Sequence, residues 1–102
     1  GGGIIDNLPR ILPKNLGLNF NNHNWVLPYI YKWFKVKGDI PYEEMLKVFN
    51  CGIGMIIICK PKNEKKILKK LKQKKEPYFY LGKIIKNKKK IDIKNLKKKW
   101  EF

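Results

Sequence analysis

The sequence predicts an α+β domain in which helices pack on a mixed, mostly antiparallel sheet. Three observations carry this expectation. Apolar residues recur at helical spacing near residues 4–12, 25–37, 41–49 and 61–75. Alternating or continuous apolar runs at 16–20, 55–59 and 78–85 have the character of strands. Glycine and proline fall between these stretches, where the chain must turn. The expected order is α-β-α-α-β-α-β-β. With 102 residues the chain makes one domain. It contains no apolar run of roughly 20 residues, so no transmembrane helix is expected.

Positions 4, 5, 8, 11 and 12 place isoleucine and leucine on one helical face. Pro9 removes a backbone donor, so this helix is short or broken, and Pro13 ends it. Leu16, Leu18 and Phe20 alternate with Gly17 and Asn19 as a strand does. Asn21, Asn22, His23 and Asn24 make a polar turn that puts His23 at the surface. The helix at 25–37 has Pro28 in its first turn. Val26, Leu27, Ile30, Trp33 and Phe34 give it an apolar face, and Gly38 ends it. Trp25 and Trp33 are expected in the core or at an interface. The next helix opens at Asp39 or Ile40, with Pro41 near its first turn. Glu43 and Glu44 complement its N-terminal dipole, and it runs to Phe49.

Residues 55–59, Met-Ile-Ile-Ile-Cys, are apolar throughout. That predicts a central strand buried on both faces, with Cys59 as a small core residue. Residues 61–75 form a lysine-covered helix whose core contacts are Ile67, Leu68 and Leu71. Residues 78–85 make a strand interrupted at Gly82, 87–89 a turn, and 90–93 a short return strand. The tail, residues 94–102, is basic, and Trp100 and Phe102 are expected to dock on the body.

A formal charge of +16 raises a lysine-rich nucleic-acid-binding module as one reading. Two features weigh against it. Arg10 is the only arginine, whereas nucleic-acid readers exploit the planar guanidinium fork against phosphate and guanine. Alanine, serine and threonine are absent while Lys, Asn and Ile abound. Those three are encoded by A/T-rich codons, so an A/T-rich genome yields this composition without selection for charge. The charge is also uneven. Residues 1–59 hold six basic side chains against four acids, and residues 60–102 hold eighteen lysines against four acids. The basic excess therefore lies away from the glycine-rich stretches. The start, Gly1-Gly2-Gly3, shows neither an initiator Met nor a signal-peptide pattern. It has the look of a piece of a longer polypeptide, or of one chain of a split protein.

Cys51 and Cys59 form no Cys-x-x-Cys motif, and His23 has metal-ligand spacing to neither. A structural disulfide is not expected, and a reduced cytosolic compartment fits. With no serine or threonine, and no cysteine next to a histidine, no nucleophile–base pair is visible. Catalysis contained wholly within these residues is hard to assemble.

Three features remain as candidate site elements. Gly1, Gly2 and Gly3 precede a helix, where backbone N–H groups and the helix N-terminus face an anion; a plain flexible end is the other reading. Asn7 and Arg10 are three apart and share a helix face. A lone arginine in a lysine-saturated chain suggests a bidentate role toward carboxylate or phosphate, or a structural pairing with Asp6 or a helix C-terminus. Asn50, Gly52 and Gly54 mark the junction after the third helix. Gly52 suits a positive φ, Gly54 permits close approach to a central strand, and Asn50 brings both donor and acceptor to the bend. Spacing alone favours a simple helix-to-strand connection with packing glycines over a ligand-binding role.

The motifs GGGIIDNLPRILP and NWVLPYIYKWFKVKGDIPYEEMLKVFNCGIGM together resemble a known family. It is the C-terminal domain of AIR synthetase, the phosphoribosylformylglycinamidine cyclo-ligase of purine synthesis. Gly1 to Gly3, Asn7, Pro9, Arg10, Leu12 and Pro13 match its first motif. Trp25, Pro28, Gly38, Glu44, Met45, Phe49, Asn50, Gly52, Gly54 and Met55 match its later pattern, and Leu81-Gly82 stands where the family has Ile-Gly. Asp6 replaces a usual Glu, and Val48 a common Thr. The likeness spans roughly residues 1–85.

The resemblance implies a three-layered α/β/α domain, distantly ferredoxin-like. Residues 1–102 then form a partial C-terminal domain ending in the basic tail at 94–102. The family's N-terminal domain, with its ATP- and Mg2+-binding residues and its dimer barrel, is not in this sequence. The implied activity of the whole cytoplasmic enzyme is an ATP-dependent ring closure of formylglycinamidine ribonucleotide to aminoimidazole ribonucleotide. The amide oxygen is phosphorylated, an internal nitrogen attacks the activated carbon, and phosphate leaves. Gly1, Gly2, Gly3, Asn7, Arg10, Asn50, Gly52 and Gly54 are the residues expected to meet the substrate or its phosphate. The implied partners are the N-terminal domain, a small nucleotide substrate and a second copy in a homodimer. No membrane is implied, and nucleic acid only nonspecifically. The chain alone is expected to be inactive.

Overall fold

A computed structural model describes residues 1–20 and 23–100. The chain forms five α-helices and a two-stranded antiparallel sheet among these residues, an α+β arrangement. Helix α1, Gly3–Ile11, buries Ile4 and Leu8 and accommodates Pro9 inside its last turn. Strand β1 is Leu16–Asn19. Helix α2, Tyr29–Gly38, begins after Pro28. Helix α3 is Tyr42–Val48 and buries Met45 and Leu46. A 3₁₀ turn at Pro61–Asn63 leads into helix α4, Glu64–Gln73. Strand β2 is Lys83–Lys86, and helix α5, Lys94–Trp100, closes the described chain.

β1 and β2 pair with Leu16 opposite Lys86 and Leu18 opposite Ile84. The Leu18 N–H also donates to the Lys90 carbonyl at 2.9 Å, beside a single parallel bridge from Leu18 to Ile91. The expected return strand at 90–93 is reduced to this bridge. The expected strand at 78–85 is ladder-paired only from Lys83 onward. Before Gly82 the chain instead hooks onto Asn24: the Asn24 N–H donates to the Tyr80 carbonyl, and the Tyr80 N–H to Asn24 Oδ1.

The core joins α1 and α3 to the sheet through Leu18, Phe20, Trp25, Leu27, Cys51, Leu96 and Trp100. Trp25 and Leu27 are buried although they precede α2, while α2 itself buries no residue fully. The apolar face expected of this helix is therefore split. Leu27 enters the core, Phe34 packs at its edge, and Val26, Ile30 and Trp33 stay exposed. Pro28 is the physical reason. It holds the preceding residues extended, so the helix starts four residues later than periodicity suggested. At the far end the left-handed cap is Asp39, φ 48, rather than Gly38, and its N–H reaches the Lys35 and Val36 carbonyls.

Several other expectations are corrected. Residues 55–59 form no strand, and Met55 is 83% exposed. Cys59 is exposed, and Cys51 is the cysteine in the core. Ile67, Leu68 and Leu71 are only half-buried and lie outside the core cluster, because α4 packs chiefly on its own 3₁₀ turn. His23 is buried, with Nδ1 accepting the Trp25 N–H at 3.1 Å. Asn21 and Asn22 of the expected turn, and the docking expected of Phe102, fall outside the described residues. Trp100 does dock, and lies buried. No helix among the described residues is long and apolar enough to cross a membrane.

Candidate functional site

Two bends poor in side chains meet where α1 begins and α3 ends. Gly2 and Gly3 both take positive φ, 92° and 57°. A Cβ added to Gly3 would fall 1.9 Å from the Leu46 carbonyl oxygen and 3.1 Å from that of Phe49. Only glycine fits there, and its fit lets the start of α1 press against the exit of α3. Asn7 locks the bend from one turn along the helix. Its Nδ2 donates to the Gly1 carbonyl at 3.0 Å and to the Gly3 carbonyl at 2.7 Å. Asn7 thus shapes the glycine bend as well as standing beside it.

The second bend follows directly. α3 ends with Phe49 extended, and the Ile53 N–H donates to the Asn50 carbonyl at 3.0 Å. Cys51 and Gly52, the two central residues, have φ 53° and 93°. This is a tight turn of the kind that needs positive φ at both inner positions. Gly52 therefore has the positive φ foreseen for it, but as the third residue of a turn and not as a helix cap. Asn50 Oδ1 accepts the Gly52 N–H at 2.8 Å and the Tyr31 hydroxyl at 2.9 Å. Cys51 is held in its strained conformation from three directions. Its carbonyl accepts the Trp25 indole N–H at 3.1 Å, its thiol reaches the Met45 carbonyl at 3.5 Å, and its side chain is fully buried.

The structure thus seats Gly3, with Gly1 and Asn7 hydrogen-bonded around it, against the end of α3, and Asn50 and Gly52 follow directly in the chain; this continuous stretch is the candidate wall. Arg10 stands apart: seven residues beyond Gly3, it is about 10 Å further along the helix axis. It is exposed and makes no ion pair among the described residues, so the pairing with Asp6 considered from sequence does not form. Gly54 has no atom within 4 Å of where a Cβ would stand and mediates no close approach. Tyr31 joins the wall unforeseen. No sequence spacing links it to Asn50, since the contact depends on how α2 lies against the exit of α3.

Two hollows lie elsewhere. One, about 330 Å³, is lined by Asn24, Trp25, Val26, Leu27, Lys32, Lys99 and Trp100. The other, about 270 Å³, lies between Ile5 and Pro9 of α1, Glu43, and Lys89, Lys90, Ile91 and Ile93. None of the eight expected site residues lines either. A Cβ added at Gly1 would meet no atom within 4 Å, so the glycine wall is open at its start. Asp6 also bears on its anion affinity, because its carboxylate oxygen lies 2.8 Å from where a Gly2 Cβ would stand.

Fold and wall together define a small α+β domain that presents backbone amides and asparagine side chains, not a cluster of acid, base and nucleophile. The chain belongs to the family described as AIR synthase related protein, C-terminal domain, which it matches over residues 1–94. It is 39% identical over 88 residues to a bifunctional purine biosynthetic protein of Pichia angusta, covering 86% of this chain and 11% of that protein. It is 39% identical over 84 residues to the phosphoribosylformylglycinamidine cyclo-ligase of Bacillus pumilus, covering 82% of this chain and 24% of that enzyme. It is 31% identical over 99 residues to the trifunctional purine biosynthetic protein adenosine-3 of Homo sapiens, covering 94% and 10%. The chain therefore spans between about a tenth and a quarter of the length of these relatives.

Proposed function

We propose that this chain serves as the C-terminal domain of a phosphoribosylformylglycinamidine cyclo-ligase and supplies one wall of a nucleotide site completed by an N-terminal domain. The observation that carries this reading is the meeting of the Gly1–Gly3 bend with the Asn50–Gly52 bend, in a chain that belongs to this family. The closure of formylglycinamidine ribonucleotide to aminoimidazole ribonucleotide demands positioning and stabilisation of phosphoryl oxygens more than side-chain chemistry. Backbone N–H groups at Gly1, Gly2 and Gly3 and the Nδ2 amide of Asn50 suit that task, with Gly52 holding Asn50 in place through its N–H to Asn50 Oδ1. Asn7 fixes the first bend. Arg10, from further along α1, would reach the distal end of the substrate, and Gly54 leaves the exit from the second bend unobstructed.

Among the described residues no three His, Cys, Asp or Glu side chains gather into a metal site. In this reading ATP and Mg2+ are held by the N-terminal domain. That domain, the nucleotide substrate and a second copy in a homodimer are the proposed partners, in the cytoplasm, and the chain alone is inactive. In the whole enzyme the β1–β2 ladder is the nucleus of the layered α/β/α sheet. The lysines of residues 60–102 bind nucleic acid only nonspecifically.

The test supplies the N-terminal domain in trans and measures ATP-dependent formation of aminoimidazole ribonucleotide. Activity should appear on mixing and fall at least about tenfold in Asn50→Ala and in Arg10→Lys, the loss of one charge-assisted hydrogen bond. Full activity in both variants would remove these two residues from the site.

A further inference from the structure

We propose that Tyr31 is a positioning residue: it holds the side-chain amide of Asn50 with its oxygen against the protein, leaving Nδ2 as a preset hydrogen-bond donor. The identity of the acceptor, an oxygen of the nucleotide substrate, rests on the cyclo-ligase reading; the orientation does not. An asparagine amide has one accepting and one donating end, and a half-turn about its last bond exchanges them. At Asn50 that exchange is opposed. Oδ1 accepts the Gly52 N–H at 2.8 Å and the Tyr31 hydroxyl at 2.9 Å, so both its lone pairs are engaged. The turned amide would set Nδ2 against the Gly52 N–H, donor against donor. Nδ2 itself has no partner among the described residues, and Asn50 is exposed.

Tyr31 can impose this because it is itself fixed. It lies in the first turn of α2, its N–H donating to the Pro28 carbonyl at 3.0 Å. Its ring packs on Phe49 with centroids 5.8 Å apart, and Phe49 stacks on Phe34 at 5.4 Å. Pro28 closes on the same bend, since a Cβ added to Gly52 would stand 2.9 Å from Pro28 Cγ. The start of α2 thus grips the bend at two points, Pro28 at Gly52 and Tyr31 at Asn50. The Gly52 bond is local to the turn and chooses which end of the amide faces in. The Tyr31 bond spans 19 residues and ties that choice to the body. A donor held this way loses no rotamer freedom when a substrate oxygen arrives. Without the hydroxyl the exposed side chain samples other rotamers, and only a fraction of the molecules present the donor.

The test mixes variants of the full chain with the N-terminal domain and follows aminoimidazole ribonucleotide formation. Tyr31→Phe removes only the hydroxyl and should lower kcat/KM about threefold or more. Added to Asn50→Ala it should lower it no further, because Tyr31 acts through that side chain alone. Asn50→Asp keeps an acceptor for Gly52 and Tyr31 but has no Nδ2 donor, and should be at least as impaired as Asn50→Ala. Tyr29→Phe, at an exposed tyrosine of the same helix, should match the parent. Nuclear magnetic resonance of the chain gives a readout apart from activity. The Asn50 side-chain amide should be rigid in the parent and mobile in Tyr31→Phe, with the Trp25 indole N–H resonance unmoved. The proposal is overturned by an unchanged kcat/KM in Tyr31→Phe, by an equal loss from it in the Asn50→Ala background, or by Asn50→Asp more active than Asn50→Ala. An equally rigid amide in Tyr31→Phe overturns it too. An inactive parent mixture counts against the cyclo-ligase reading, and the resonance measurement then decides the role of Tyr31 by itself.

Discussion

Trp100, near the end of the described chain, donates its indole N–H to the carbonyl oxygen of Trp25 at 2.9 Å, and the two rings meet edge to face with centroids 4.5 Å apart. Trp25 in turn donates its indole N–H to Cys51, inside the second glycine bend. The basic tail is thereby tied through one aromatic residue to the wall of the candidate site. Tyr42 joins the same clasp, its hydroxyl donating to the Trp100 carbonyl at 2.9 Å.

Removing that clasp should cost a large share of the stability of a domain this small. Trp100→Ala leaves a cavity in the core and should destabilise by about 3–5 kcal/mol. Trp100→Phe keeps a ring but loses the hydrogen bond, and should cost about 1–2 kcal/mol. Urea denaturation of the two variants beside the parent chain measures both. Equal, small effects would show that the tail contributes little to the fold.

Gly3 and Gly54 should respond in opposite ways to the same substitution. Gly3→Ala must push a Cβ into the Leu46 carbonyl from a left-handed backbone, so about 2 kcal/mol or more should be lost. Gly54→Ala meets open space and should fall within about 0.5 kcal/mol of the parent. Melting curves of the pair decide whether the first bend is held as tightly as its geometry requires.

The two thiols should be distinguishable by reactivity. Burial pushes the Cys51 thiol up to about 11 and leaves it protonated and shielded, while Cys59 is exposed. A disulfide exchange reagent at pH 8 should titrate one thiol in the folded chain and a second only after denaturant is added. Rapid reaction of both would mean that the Cys51 turn opens readily.

Acid should weaken the fold through His23. Burial, followed by repulsion from Lys99, lowers this imidazole below its ordinary value of 6.5. Because Nδ1 accepts the Trp25 N–H, the proton of the neutral ring lies on Nε2, which has no partner among the described residues. The unfolded chain binds a proton at 6.5 and the folded chain only at lower pH. Stability is therefore greatest above pH 6.5 and falls as pH drops from there toward the folded value. Glu43, whose carboxylate is held below its usual range first by the hydrogen bond from Lys97, adds a separate loss only at more acidic pH. Unfolding free energies from pH 5 to 8 should slope for the parent chain and lie nearly flat for His23→Gln.

Much of the candidate site was legible because glycine and asparagine at bends report a local backbone requirement. The positive φ of Gly52 and the placement of Asn50 beside it follow from a turn that must form whatever surrounds it. The helices α1 and α3 were legible for the same reason, since their periodicity and end signals are local. His23 was misread because four consecutive polar residues suggest solvent, and only the arrival of Trp25, Phe20 and Lys99 around the ring shows otherwise. Residues 55–59 were misread because an apolar run states that burial is required without stating what provides it.

The amino-acid sequence by itself determined the family, the α+β class and the two bends, since each rests on residue types whose conformational limits act over a few positions. Only the tertiary structure decided that the first bend presses on the end of α3, that Arg10 stands away from it, that Cys51 and not Cys59 is the core thiol, and that Met55, Ile57 and Ile58 stay exposed. Those outcomes depend on which surfaces meet across long separations in the chain, and no local propensity encodes that choice.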